Sequence, residues 1–207
     1  MRVKICGLTR DEDAKAAQAL GAWALGFIFY PKSKRYIPPD AAEKIVSGLK
    51  TQSVGVFVNQ TDAVTGIAKL VGLRGIQLHG DETPDDCARV LDKFTGILIK
   101  AFRPESESDI ARIAEYKGVI HYALLDSAAG GQYGGTGHTF DWSLATKASA
   151  IGIPLILAGG LNEENIIAAV NEVKPFAADL SSGVESAPGI KDKSKLDALF
   201  GNLGRKA

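Results

Sequence analysis

Cysteine is scarce in this chain: two residues in 207, Cys6 and Cys87, lie far apart and without CxxC spacing. That excludes a disulfide framework, and the two read as free thiols of a reducing compartment. Net charge is absent as well. Lys and Arg number 24 and Asp and Glu number 24, which leaves no field to hold a polyanion, so nucleic acid is not expected as a partner. Long apolar runs are missing too. The stretches 23–30 and 151–158 fall well short of the roughly 20 residues a membrane-spanning helix needs. The first residues, Met-Arg-Val-Lys-Ile-Cys, turn polar without the apolar core of a secretory signal, and a cytoplasmic location is expected. Neither GxGxxG nor GxxxxGK[ST] occurs. The histidines, His79, His121 and His138, are scattered with no paired spacing, so no metal site is expected.

What is present is a rhythm. Apolar, β-branched runs recur at 3–6, 25–30, 54–58, 75–78, 97–102, 122–126, 154–158 and 176–180. Each is followed by a polar turn and then by apolar residues at helical spacing, such as Ile110, Ile113 and Ala114. Helix starts are marked at Thr9 or Asp11, Pro38-Pro39-Asp40, Thr61, Thr83-Pro84, Ser106, Asp141, Asn162 and Asp192, and stops at Gly21, Gly72, Gly118 and Pro175. Eight strand-helix units in 207 residues leave about 26 residues each and no room for long insertions. A single-domain (β/α)8 barrel spanning 1–207 is predicted, in preference to an open doubly wound sheet, which usually has fewer strands and opens on a glycine-rich turn.

In such a barrel, chemistry belongs at the C-terminal ends of the strands. That rule selects Cys6, Arg35, Asn59, His79, Lys100, Asp126, Gly159-Gly160 and Ser181-Ser182-Gly183. Cys6 alternates with Lys4 on the barrel-facing side; position alone suits a reactive thiol and a small buried hydrophobe equally. Cys87, in a polar helical segment, is structural. Asp126 closes an apolar run, where lost hydration suits a carboxyl to general acid work, with a loop-bonding role as the alternative. The glycine-dense stretch 129–137 that follows it suits a lid. The small-residue turns after strands seven and eight, with a short helix start after the latter, form a candidate phosphate site on backbone N–H groups that needs no basic residue. Arg35, in the basic loop 31–36, suits a carboxylate. Lys4 is expected to pair with Asp179 on the adjoining last strand. His79 suits a supporting donor role, His121 and His138 ordinary surface positions, and Trp23 and Trp142 helix packing. A Schiff-base lyase using Lys100, and a regulatory barrel that only binds a phosphorylated metabolite, stay open at this point.

The segments 3–9 (VKICGLT), 26–36 (GFIFYPKSKRY), 77–80 (QLHG), 124–127 (LLDS), 134–137 (GGTG) with 140–142 (FDW), 158–162 (AGGLN) and 179–185 (DLSSGVE) resemble the phosphoribosylanthranilate isomerase family of tryptophan biosynthesis nearly end to end. The resemblance implies a cofactor-free Amadori rearrangement of a small phosphorylated substrate. It implies Cys6 as general base, Asp126 as general acid and Arg35 as the contact to the anthranilate moiety. Glu163 stands where the family often has proline and Leu180 where it often has valine. The sequence leaves monomer and homodimer both open.

Overall fold

A computed structural model describes residues 1–126 and 142–204. The stretch 127–141, which holds the expected lid, His138 and the cap at Asp141, lies outside the described residues. Eight parallel strands run in chain order: β1 (Arg2–Ile5), β2 (Ala24–Ile28), β3 (Gln52–Phe57), β4 (Gly75–Leu78), β5 (Ile97–Phe102), β6 (Tyr122–Leu125), β7 (Leu155–Leu157) and β8 (Ala177–Leu180). β8 pairs back onto β1 and closes the barrel, as the spacing predicts. The helices are α1 (Asp11–Ala19), α2 (Pro39–Val46), α3 (Thr61–Val71), α4 (Pro84–Leu91), α5 (Glu107–Ile113), α6 (Trp142–Ala148), α7 (Ile166–Val173) and α8 (Lys193–Gly204).

The strands read as continuous apolar runs because both faces are covered, one by the helices and one by the barrel interior. Two apolar groupings result. A large one fills the space between barrel and helices. A smaller one, with Val54, Ile99, Leu124 and Ile156, fills the barrel itself. Thr83 and Ser106 each form a full capping box, with Asp86 and Asp109, at the starts of α4 and α5. α3 ends on Gly72 in the left-handed region. α7 starts later than the Asn162 signal suggests, because the Asn162 side chain accepts from the backbone of Glu164 and Asn165 and builds a turn ahead of the helix.

One expectation needs correction. Trp23 does not pack on a helix: it meets Tyr122 and Phe176 edge to face, with ring centroids 5.6 and 5.4 Å away. These rings precede or begin their strands, so they close the N-terminal end of the barrel. The short helix start expected after β8 is a three-residue 3-10 helix (Ser182–Val184), and it leads not into a longer helix but into an antiparallel hairpin, β9 (Glu185–Ala187) with β10 (Ile190–Lys191). The hairpin is tied to the loop after β1 by Thr9 Oγ1, which donates to the Gly189 carbonyl at 2.6 Å.

The barrel interior has little slack, since Ile156 is fully buried within it. Ile156→Ala is expected to lower unfolding free energy by about 2–5 kcal/mol, read from a shifted urea midpoint at unchanged slope.

Candidate active site

The expected ion pair inside the barrel is present. Lys4 Nζ lies 3.0 and 3.1 Å from the two carboxylate oxygens of Asp179, and the two residues are directly opposite in the β1–β8 register. Side chains two residues further along a strand return to the same face. Above this pair a pocket opens at the C-terminal end of the strands. Cys6, Arg35, His79, Asp126, Gly159, Gly160, Ser181 and Ser182 line it, together with Gln77 and Asp179. Residues scattered from position 6 to position 182 thus share one pocket.

Cys6 is buried beside two ammonium groups. Burial pushes its thiol above the ordinary range, and Lys4 is the strongest influence pulling it back, with Lys191 adding to it. Burial also works against the charge on Lys4, but Asp179 and then Cys6 outweigh it and leave that ammonium held more firmly than usual. Asp126 faces His79, whose Nε2 is 3.3 Å from Asp126 Oδ2. On the other side of the ring, the Gln77 amide is 2.8 Å from Nδ1. With the amide as donor, the ring hydrogen sits on Nε2, near the carboxylate but without a hydrogen bond to it. Gln77, two residues before His79 on the same strand face, is a site residue that sequence reasoning passed over.

The two small-residue turns lie next to each other. A Cβ on Gly183 would run into the carbonyl of Leu161, so this glycine is needed for the close approach of the two turns and not for room around a ligand. Gly159 and Gly160 have φ of 87° and 66°, a conformation side chains rarely adopt. The Asn165 amide fixes that turn by donating to the Gly160 carbonyl at 2.9 Å. Among the described residues, the Ser181 hydroxyl is buried with no hydrogen-bond partner.

Arg35 lines the pocket but is already engaged. Its Nε and Nη2 make three contacts of 2.7–3.0 Å to the carboxylate of Glu185, which leaves Nη1 outside the pair. Burial opposes the charge on Glu185, yet Arg35 and Lys191 prevail and hold its carboxyl below the usual range. Glu185 and Lys191 were not singled out in the sequence; both are carried inward by the hairpin that no periodicity announces.

Lys100 takes no part in the pocket. Its neighbours Ile99 and Ala101 point into the barrel, so Lys100 points out, where it donates to the Gly80 and Ala101 carbonyls at 2.8 Å and pairs with Glu82 at 3.2 Å. The lyase reading that relied on it is withdrawn. Asn59, at the end of β3, serves the next loop by accepting from the Asp81 backbone at 2.7 Å. Cys87 is fully buried, and burial pushes its thiol up to about 12, as expected of a structural cysteine. His121 is exposed and accepts from the Leu98 backbone at 3.0 Å. Among the described residues no helix is long and apolar enough to cross a membrane, and no cluster of three His, Cys, Asp or Glu gathers to hold a metal.

A closed (β/α)8 barrel with a buried thiol and a histidine-backed carboxylate at one strand-end pocket defines a barrel enzyme equipped for acid–base work on a small molecule. The sequence model of N-(5'-phosphoribosyl)anthranilate isomerase matches residues 3–202. Relatives bearing that name include the protein of Syntrophus aciditrophicus, 45% identical over 98% of this chain and 87% of the relative, and that of Geobacter sulfurreducens, 47% identical over 95% of each. The Thermotoga maritima phosphoribosylanthranilate isomerase superimposes with a TM-score of 0.91 at 41% identity over 99% of both chains. Another structure of a phosphoribosylanthranilate isomerase, 39% identical with a TM-score of 0.88 over 99% of both chains, holds reduced 1-(o-carboxyphenylamino)-1-deoxyribulose 5-phosphate. The chain belongs to the N-(5'-phosphoribosyl)anthranilate isomerase family, and its activity is that isomerisation in tryptophan biosynthesis.

The raised thiol gives a direct expectation. Cys6 should be alkylated by iodoacetamide more slowly than a small free thiol at pH 8, with the rate climbing as pH passes above the ordinary thiol range. Cys87 does not interfere, because it is buried and even harder to ionise. Alkylation at pH 7 as fast as that of a low-pKa thiol would contradict the assignment.

Proposed function

We propose that Asp126 and Cys6 carry the acid and base steps of the isomerisation, with Arg35 on the substrate's carboxylate and the turns at Gly159-Gly160 and Ser181-Ser182 on its phosphate. Asp126 protonates the furanose oxygen as the bond from that oxygen to C1 breaks. The nitrogen lone pair forms a C1=N double bond, which gives the protonated Schiff base. Cys6, as thiolate, takes the proton from C2; that electron pair becomes C1=C2, and the C=N pair returns to nitrogen. The resulting enol loses its hydroxyl proton as C1 gains one, which gives the ketone. No metal or cofactor enters these steps.

The observation that carries this reading is the convergence on one pocket of Cys6 from the end of β1 and Asp126 from the end of β6. His79, held by Gln77, orients toward the carboxylate and supports it as a proton-handling group. The cations next to Cys6 offset part of the burial that raises its thiol, which is the direction the second step needs. The bound phosphorylated compound in the 39%-identical structure supports a ligand of the same class here.

Cys6→Ser and Asp126→Asn are each expected to lower kcat by at least about a hundredfold with KM within a small factor, since a placed acid or base acts in the transition state. Arg35→Ala should chiefly raise KM. A substrate analogue lacking the carboxylate should be a poor substrate for wild type and no worse for the variant. Gly160→Val should weaken inhibition by inorganic phosphate. Wild-type kcat in either of the first two variants removes that residue from the chemistry.

A further inference from the structure

We propose that Lys191 is a positioning residue that holds the base, the phosphate turn and the carboxylate clamp in one register. The inference rests on the roles proposed for Cys6 and Arg35. An ammonium has three hydrogens to donate, and Lys191 Nζ, fully buried, meets three acceptors from three parts of the site. It lies 2.6 Å from the Cys6 carbonyl, 3.2 Å from the Ser181 carbonyl and 2.8 Å from Glu185 Oε1.

Each acceptor governs a different function. The Cys6 backbone is gripped from both sides, because its N–H donates to the Leu180 carbonyl at 2.8 Å while its carbonyl is held by Lys191. The Ser181 carbonyl fixes the turn whose hydroxyl reaches the pocket. Glu185 passes the constraint to Arg35, whose Nε and Nη2 close on the same carboxylate. The lysine is anchored at its other end as well: its backbone N–H donates to Asp13 at 3.0 Å, and Asp13 is itself held by Arg10 at 2.7 and 2.9 Å. Charged groups facing this cluster are Glu185, Arg35 and Asp13, with Lys195 donating to the Glu185 carbonyl at 3.0 Å.

Burial alone does not account for this arrangement. Placing a charge out of water is costly, and an apolar side chain of similar length would fill the space without that cost. What the ammonium adds is a fixed geometry among three carbonyl or carboxylate oxygens and a positive charge close to the Cys6 thiol. A methionine at this position keeps the length and loses both.

The test uses the full chain with Lys191→Met and, separately, Glu185→Asp. In Lys191→Met, kcat/KM should fall at least about tenfold, with both kcat and KM affected. The midpoint of Cys6 alkylation by iodoacetamide should move to higher pH by about one unit, since a nearby cation favours the thiolate. A purely structural lysine would leave that midpoint in place and reduce activity only through the folded fraction, which circular dichroism reads; that result overturns the proposal. Should the methionine variant not fold, Glu185→Asp decides. It keeps the charge and draws the carboxylate back from Arg35, so KM should rise several-fold more than kcat falls; an unchanged KM overturns the proposal. Alkylation does not depend on turnover, so an error in the role given to Cys6, seen in Cys6→Ser, stays separate from an error about Lys191.

Discussion

The pair of Lys4 and Asp179 is the constraint on which the rest of the pocket stands. It joins the first strand to the last inside the barrel, at the seam where the ring closes. Removing either partner would leave a buried charge uncompensated, at a cost of about 3–5 kcal/mol. A slip of one residue by either strand along the seam would turn its charge toward the apolar layer outside and leave the other unpaired within the barrel. The register it enforces also sets the floor of the site: two residues beyond Lys4 is Cys6, and two residues beyond Asp179 is Ser181. The thiol and the turn at Ser181 are therefore placed by the same contact that closes the fold.

The electrostatics of the mouth come from local pairing and not from the charge of the whole chain, which is zero. Lys4 with Asp179, and Arg35 and Lys191 around Glu185, place three cations against two carboxylates along the wall near Cys6. That excess is screened little in a buried pocket, so a neutral protein can still present a positive face to a substrate bearing a carboxylate and a phosphate. Asp126 with His79 lines another part of the same pocket, so the thiol and the carboxyl sit in different electrostatic surroundings.

The barrel was legible because strands covered on both faces do not alternate: each appears as a mainly apolar run, broken at most by isolated polar residues such as Lys4 and Lys100, and the eight runs carry their own punctuation. The pairing of Lys4 with Asp179 followed once closure made the first and last strands neighbours. The same lack of alternation hid the direction of Lys100, since the run Ile97–Phe102 is apolar on either parity and nothing in it tells inside from outside. Glu185 and Lys191 were hidden for another reason. They lie in a turn and a short hairpin whose path depends on contacts with the loop after β1, such as that of Thr9 with Gly189, and not on any local pattern. Arg35 was placed at the mouth correctly by its ordinal position, but its engagement with a carboxylate 150 residues away has no local trace.

The lysine hairpin has a consequence for the order in which the enzyme comes into being. Cys6 leaves the ribosome long before the groups that complete its surroundings, since Asp179, Ser181, Glu185 and Lys191 come 173–185 residues later. Until the last strand and its hairpin have emerged, the strand that leads to the thiol can pair on one edge only, with β2. The site is therefore completed only late in synthesis, and a chain released before that point carries Lys4 beside the thiol but neither the carboxylate that holds Lys4 nor the second ammonium.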